Sequence, residues 1–197
     1  GRPAGGPCRW MLVTISSGKS RDSGHAGFAA PHAQQAAMAP PDPVQVRFAT
    51  ARDVPYIVEA WGELARFHEQ FNPGFALSPR WRRVYTEYVE ELLGRDDARV
   101  VVAWVPDALA GLAIGRITLL PAFFRHRRRG YVQDVYTRPP YRRRGIARRM
   151  VERLEAWLRS EGVRRVELTV ASRNPEAVAF WVRLGYRPYM EYLSKEL

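Results

Sequence analysis

The sequence predicts one α/β domain with a mixed central sheet, and three observations lead to that fold class. Stretches with the periodicity of strands alternate with stretches of helical periodicity from Val44 to the end of the chain. The chain has 197 residues, of which 46% are hydrophobic and 26% charged, as is typical of a globular protein with a single core. No apolar run approaches the roughly 20 residues of a membrane-spanning helix, which excludes an integral membrane protein.

The first 43 residues differ from the rest in composition. They are rich in Gly, Ala, Pro and Ser, show no sustained periodicity, and end in Pro40-Pro41-Asp42-Pro43. Such a stretch buries too little apolar surface to offset the entropy that is lost on ordering. We therefore predict that residues 1–43 form an extension, either disordered or foreign to the natural chain and dispensable for activity, and that residues 44–197 form the domain.

The first part of the domain predicts a strand followed by two helices. Residues 44–48 alternate between apolar and polar side chains, as a half-buried strand does. Asp53 is placed to cap a helix that has Pro55 in its first turn, where the missing N–H costs little. A second helix follows Ser78-Pro79 and ends at Gly94. The side chains at helical spacing are Ile57, Trp61, Leu64 and His68 in the first helix and Trp81, Val84, Tyr85, Tyr88, Val89 and Leu92 in the second.

The second part of the domain predicts three strands and then an alternation of helices and strands. Apolar and β-branched runs indicate strands at residues 99–105, 111–120 and 131–136, with a basic and aromatic loop at 121–129 before the third. After these we predict a helix at about 145–161, a strand at 165–171, a helix from Asn174-Pro175 to Gly185, and a last strand at about 189–196. This order, without an internal repeat, is that of one mixed α/β domain.

Charge and cysteine content narrow the range of functions. A formal net charge of +11 points to a polyanionic partner such as nucleic acid, or to an anionic cofactor. All basic residues except Lys19 and Lys195 are arginine, a bias that the nucleotide composition of a coding sequence also produces, so their clustering is more informative than their number. Because Cys8 is the only cysteine and the four histidines are scattered, a disulfide framework is excluded and we expect no metal site.

One segment carries most of the functional information: the strand at 131–136, a short turn, and a helix that opens on three arginines and a glycine. A helix N-terminus carries about +0.5 charge, so cations there cost a few tenths to about 1 kcal/mol unless an anion binds among them. Main-chain N–H groups and guanidinium groups at such a turn are suited to holding phosphate oxygens. A basic helix start that merely faces solvent is the alternative. The residues concerned are Arg142, Arg143, Arg144, Gly145, Ile146 and Ala147.

These six residues resemble the acetyl-coenzyme A signature of the GCN5-related N-acetyltransferase (GNAT) superfamily: Arg or Gln, two residues, Gly, one residue, then Gly or Ala. The family's second conserved block resembles Asn174, Ala177, Phe180, Leu184, Gly185 and Tyr186. The resemblance covers about residues 44–197. It implies a mostly antiparallel central sheet of about six strands, flanked by four helices.

The resemblance also implies acetyl-CoA as co-substrate and assigns residues to it. Residues 142–147 would hold the pyrophosphate, and the backbone of Val135, Tyr136 and Thr137 would pair with the pantetheine as an added strand does. An N–H near Val135 would stabilise the negative charge that develops on the thioester oxygen. Asn174 either caps the last helix alone or contacts the pantetheine as well.

The resemblance further implies an amine that attacks the thioester and a base that removes a proton from it. Asp134 is the first candidate base because it lies beside the expected thioester position, and an ion pair with an arginine is its alternative role. Glu69 is the second candidate and Glu167 a further one, whereas His68 fits a packed core histidine better. Many relatives have a tyrosine as general acid where this chain has Trp181, whose indole N–H is too weak an acid. Water or a tyrosine (Tyr186, Tyr189 or Tyr192) would then protonate the thiolate.

The implied activity is transfer of an acetyl group from acetyl-CoA to a primary amine of a small molecule or of a protein N-terminus. Four arginines at 125 and 127–129 favour a neutral or anionic acceptor over a polyamine. Two competing interpretations are a non-catalytic basic module that binds nucleic acid, for which there is no recognised motif, and a CoA-binding sensor with the same fold. We expect a cytoplasmic protein without a metal, a membrane partner or a nucleic-acid partner, and the sequence leaves a homodimer open.

Overall fold

Five strands form one sheet in the computed structural model, which describes residues 44–195; the prediction for residues 1–43 lies outside these residues. The sheet order follows the chain order, with antiparallel neighbours except for the last pair, which is parallel. The strands are β1 (Gln45–Phe48), β2 (Ala98–Val105), β3 (Ala108–Leu119), β4 (Arg128–Thr137) and β5 (Val166–Leu168).

Four helices cover the two faces of this sheet. They are α1 (Val54–Glu69), α2 (Trp81–Leu93), α3 (Ile146–Ser160) and α4 (Pro175–Arg183). Leu112 and Ile114 of β3 pack with α1 and α2, whereas Ala113 between them packs with α3 and α4. This alternation is the period of two that a strand buried on both faces requires. The predicted mixed α/β domain with four helices is confirmed.

The prediction of a sixth strand is wrong for residues 189–195, the part of it that the structure describes. Residues 189–195 form no ladder, and the large apolar side chains among them are 60% to 87% exposed. The neighbouring strand, predicted over 165–171, has only the three residues of β5 and offers little edge for pairing. By contrast, β3 and β4 begin earlier than predicted, at Ala108 and Arg128, and the pairing of Arg128 with Leu119 confines the basic loop to residues 120–127.

Asp53 does not cap α1 as the sequence suggested. Its carboxylate accepts hydrogen bonds of 2.8 Å from both terminal guanidinium nitrogens of Arg47, one of 2.7 Å from the Thr50 N–H, and one of 2.9 Å from the Trp104 indole. Burial opposes ionisation of Asp53, but these donors outweigh it and lower its pKa to about 2. Asp53 therefore joins β1, β2 and the start of α1. No helix within residues 44–195 has the length and apolar character needed to cross a bilayer.

Candidate active site

The site is built around an irregularity in β4. Ile114 and Gly115 of β3 lie opposite Asp134 and Val132, so Gln133 is an extra residue in β4, a β-bulge. The parallel ladder to β5 ends at the same place, at Val132 and Leu168. Beyond it, residues 134–137 of β4 pair with β3 on one side, and on the other side no continuous ladder to β5 follows; Val170, two residues after β5, forms a single isolated bridge. An extended ligand that carries amide groups fits such an edge.

The turn between β4 and α3 forms a cradle of main-chain N–H groups, residues 142–147. Arg143 and Gly145 both have left-handed backbone conformations, with φ of 61° and 72°. Gly145 precedes the first residue of α3, and no side chain caps the N–H groups of the first helical turn. A Cβ atom on Gly145 would meet no other atom within 4 Å, so the space above the cradle is open. The N–H groups and the helix dipole together make this an anion-binding geometry.

The arginines in and before this turn differ in burial and in their hydrogen-bond partners. Arg142 is half-buried and its Nε donates a hydrogen bond of 2.9 Å to the Thr137 carbonyl, which joins the turn to the end of β4. Arg143 and Arg144 are exposed at the cradle. Arg138, just before the turn, forms an ion pair of 2.9 Å with Glu63 of α1. The geometry thus gives Arg142 a structural contact and leaves the guanidinium groups of Arg143 and Arg144 accessible to an anion.

Three buried polar atoms near this edge and on α4 have no hydrogen-bond partner among the described residues. They are Thr137 Oγ1, Asn174 Nδ2 and Trp181 Nε1. Asn174 does cap α4, since its Oδ1 accepts a hydrogen bond of 3.2 Å from the Ala177 N–H. Buried polar groups are rarely left unpaired in native proteins. An acyl-CoA fits these residues, because its phosphates suit the cradle and its pantetheine amides offer donors and acceptors to β4 and α4.

Asp134, the predicted base, is fully buried on the face that α1 and α2 cover. Gln133 donates a hydrogen bond of 3.1 Å to its Oδ2, and Oδ1 has no partner among residues 44–195. Burial raises the pKa of Asp134 to about 7, against the opposing effects of the Gln133 hydrogen bond and of Trp61. No arginine of the described chain forms an ion pair with it, so the alternative role of a structural ion pair is not what the structure shows. A carboxyl group with this pKa is suited to accepting a proton near neutral pH.

The other candidate bases lie in different surroundings. Glu69 is the last residue of α1 and is exposed. His68 is buried against Phe67 and Phe75, and burial lowers its pKa to about 4, so it is neutral at pH 7. Glu167 on β5 forms ion pairs with Arg129 and Arg165. Of these residues, only Asp134 combines burial beside the bulge with a pKa near neutrality.

Sequence reasoning missed the residues that surround Asp134. Tyr88 donates a hydrogen bond of 2.7 Å to Gln133 Oε1, and Trp61 stacks on Tyr85 with ring centroids 3.8 Å apart. The spacing of Tyr85 and Tyr88 predicted only that they face the core. Gln133 carried no signal, because a bulge cannot be recognised from apolar periodicity. Among the described residues no three His, Cys, Asp or Glu side chains lie together as a metal site.

Comparison with known proteins agrees with this geometry. Residues 61–186 match the family model described as the acetyltransferase (GNAT) family. No curated protein matches the sequence.

Three solved structures illustrate the likeness in fold. A variant of the BH1408 protein from Bacillus halodurans is 20% identical with a TM-score of 0.69, over 78% of this chain and 99% of that one. A predicted acetyltransferase with acetyl-CoA from Clostridium acetobutylicum is 18% identical with a TM-score of 0.62, over 78% and 96%. The aminoglycoside 6'-N-acetyltransferase AAC(6')-IG from Acinetobacter haemolyticus is 16% identical with a TM-score of 0.60, over 78% and 99%.

Proposed function

The chain belongs to the GNAT family of acetyltransferases, and on that premise we propose that it transfers an acetyl group from acetyl-CoA to a primary amine of a small molecule or of a protein N-terminus. The observation that carries the proposal is the β4 bulge. It lies where the open edge of β4 begins and presents a buried carboxyl group, Asp134, beside that edge. The edge of β4 proposed to bind the cofactor and the residue proposed to accept the proton are thus adjacent in the chain.

Acetyl-CoA supplies the activated acetyl group as a thioester, and this chain's own residues bind and orient it. The N–H groups of residues 144–147 hold the diphosphate, with the guanidinium groups of Arg143 and Arg144 adding positive charge. The backbone of Val135, Tyr136 and Thr137 pairs with the pantetheine. Asn174 Nδ2, already held by the cap that its Oδ1 makes, donates to a pantetheine carbonyl.

Asp134 acts as the base. Burial raises its pKa to about 7, which suits it to accept a proton near neutral pH. The carboxylate takes a proton from the attacking amine, and a main-chain N–H near Val135 stabilises negative charge on the thioester oxygen. Glu69, exposed at the end of α1, is the second candidate for the proton acceptor.

The position on α4 that carries a proton-donating tyrosine in many relatives supplies no such acid here. Trp181 occupies the position of the tyrosine found in many relatives and is 2% exposed, packed edge-on between Phe180 and Tyr186. Tyr186 is a poor substitute, because burial and the adjacent Glu155, to which its hydroxyl donates, raise its pKa. We infer that solvent protonates the thiolate.

The acceptor is best a neutral or anionic amine. Arg128 and Arg129 are neutralised by Glu161 and Glu167, but Arg125 and Arg127 form no ion pair among the described residues and leave the loop at 120–127 positive. This field repels a polyamine. The fold is shared with an aminoglycoside 6'-N-acetyltransferase, but a shared fold does not fix the acceptor class.

A CoA-binding sensor is the second candidate function, and Trp181 favours it because the usual proton donor is absent from that position. Release of free thiol from acetyl-CoA, followed against a panel of amines, separates the two. We expect release with an anionic or neutral amine or a peptide α-amine, and a loss of about a hundredfold or more in kcat for Asp134→Asn. If calorimetry detects binding of acetyl-CoA but no amine causes release of thiol, the sensor is the function that remains. If spermidine is the best acceptor, the inference that the positive loop disfavours polyamines is wrong.

A further inference from the structure

Two buried oxygen atoms on facing elements have no hydrogen-bond partner among the described residues. One is Asp134 Oδ1 on β4, and the other is the hydroxyl of Tyr85 on α2. The two residues are 0% and 5% exposed, so neither oxygen is hydrated from the surface. Such atoms are uncommon in native proteins, and each points to a small polar group that bonds to it. Nothing in the proposed function so far uses Tyr85.

The two side chains belong to one cluster. Tyr85 packs against Tyr88 with ring centroids 5.7 Å apart, the Tyr88 hydroxyl bonds to Gln133, and Gln133 bonds to Asp134. Burial raises the pKa of Tyr85, and the charge of Asp134 raises it further. Trp61 belongs to the same cluster: its ring stacks on Tyr85 at an interplanar angle of 13°, and it lowers the pKa of Asp134 against the effect of burial. No direct hydrogen bond joins the hydroxyl to the carboxylate. The unpaired hydroxyl and Oδ1 therefore belong to one buried cluster, in which a single bridging group would satisfy both.

The rest of the cluster selects Oδ1 as the reactive oxygen. Because the Tyr88 hydroxyl donates to Gln133 Oε1, the amide nitrogen of Gln133 is directed to Asp134 Oδ2. Oδ2 is thus already an acceptor within the fold. The oxygen that remains to take a proton is Oδ1.

The titratable groups on the surrounding elements are few. From α2 they are Tyr85 and Tyr88, and the pKa of Tyr88 is raised by burial. From β3, Arg116 lies beside Tyr88 and lowers the pKa of that tyrosine against the burial effect. Further groups are His68 and Glu63 of α1, Tyr136 of β4 and Glu167 of β5. The Tyr136 hydroxyl donates to Glu63, which also pairs with Arg138, and Glu167 pairs with Arg129.

We propose that Tyr85 is a positioning residue for the transfer reaction: its hydroxyl holds a single water that carries the acceptor's proton to Asp134 Oδ1. The inference rests on the proposed function. The water accepts one hydrogen bond from the Tyr85 hydroxyl and one from the amine N–H, and donates one to Oδ1. As the nitrogen bonds to the acetyl carbon, its proton passes to the water and a proton of the water passes to Oδ1, which leaves a neutral carboxyl group and a regenerated water.

The variant Tyr85→Phe removes the hydroxyl and keeps the ring that stacks on Trp61. The water then bonds less well to the carboxylate, which destabilises the charged form, so the pKa of Asp134 rises. We expect the acid limb of the kcat/KM profile for the amine to move up by about one pH unit, which is about tenfold in activity below the limb. KM for acetyl-CoA stays unchanged.

A second readout does not need turnover. The carboxyl carbon of Asp134, labelled with ¹³C and assigned by its loss in Asp134→Asn, reports the titration of this group in the free protein. Tyr186→Phe is the control, because it deletes another buried hydroxyl, one that bonds to Glu155 on the other face of the sheet. We expect the carboxyl titration to move up in Tyr85→Phe and to stay in place in Tyr186→Phe.

The outcomes separate the inference from the proposed function. Matching shifts of the carboxyl titration and of the kinetic limb support the positioning role. An unshifted carboxyl titration in a folded Tyr85→Phe overturns it, and so does a shifted titration with an unmoved kinetic limb. A wild-type protein that releases no thiol with any amine refutes the proposed function, and the positioning role falls with it whatever the carboxyl titration shows.

Discussion

Substitution of Gly145 by alanine tests the cradle most directly, because the same chain contains a matched control. Gly145 and Gly162 flank α3, with φ of 72° and 74°, and a Cβ on either meets no atom within 4 Å. The left-handed conformation costs an L-residue roughly 1–2 kcal/mol. We therefore expect Gly145→Ala and Gly162→Ala to lower the melting temperature equally, by about 2–4 °C for each kcal/mol.

The two variants differ in what the added methyl group faces. In Gly145→Ala it enters the open space above the cradle, whereas Gly162 lies at the far end of the 15-residue helix, about 22 Å away. Loss of one charge-assisted hydrogen bond to a phosphate costs about 2 kcal/mol, which is roughly thirtyfold in Kd. Acetyl-CoA at a hundred times the wild-type Kd stabilises the wild type and Gly162→Ala by about 2.7 kcal/mol, but Gly145→Ala by only about 0.9 kcal/mol.

Thermal unfolding with and without acetyl-CoA measures both effects in one experiment, and calorimetry provides the Kd values independently. Equal stabilisation of the two variants by acetyl-CoA would refute the assignment of the cradle to the diphosphate. Binding of a DNA duplex that weakens steeply with salt, with no response to acetyl-CoA, would favour the nucleic-acid interpretation instead.

Three further predictions concern the buried groups. Burial raises the pKa of Asp134 to about 7, so this group makes the stability fall as pH rises from about 4 to 7. Burial lowers the pKa of His68 to about 4, so that group makes the stability rise between pH 4 and 6.5. In urea titrations between pH 4 and 6.5, the free energy of unfolding of the wild type should therefore be nearly constant, because the two effects cancel. In Asp134→Asn only the His68 effect remains, so the free energy of unfolding should rise by about 3 kcal/mol over the same range, and a constant value for the variant would contradict this. Trp181→Phe should retain substantial acetyl transfer because the indole N–H is not the proton donor, and a thousandfold loss of kcat would refute that view. Asp53→Asn should lose about 2 kcal/mol of stability, since it weakens charge-assisted hydrogen bonds from Arg47, and should leave the Kd of acetyl-CoA unchanged by calorimetry.

Signals between neighbouring residues of the sequence were sufficient to predict the helices and the cradle. The apolar spacing of α1 to α4 reflects one face against the sheet, and Gly145 marks a left-handed residue at a helix start, so both can be recognised from neighbours in the chain. The partner of Asp53 could not be recognised in this way, because Arg47 lies on another element and a helix cap explains an aspartate at that position equally well. The false strand at 189–195 has the same cause: alternation describes a strand's faces, while a strand also needs an edge to pair with.

The position of Asp134, the proposed base, depends on a feature that periodicity cannot reveal. Val132 and Val135 both pack on the α3 side of the sheet although they are three residues apart, and in a regular strand such residues would face opposite sides. The extra residue, Gln133, resolves this conflict, and it allows Asp134 to face α1 and α2 while both valines stay in the other core. A bulge also bends its strand and strengthens the local twist, and here the ladder to β5 ends where the bulge begins. One additional residue thus accounts for the position of the proposed base and lies where the ladder to β5 ends, which explains why the two parts of the proposed site occur together.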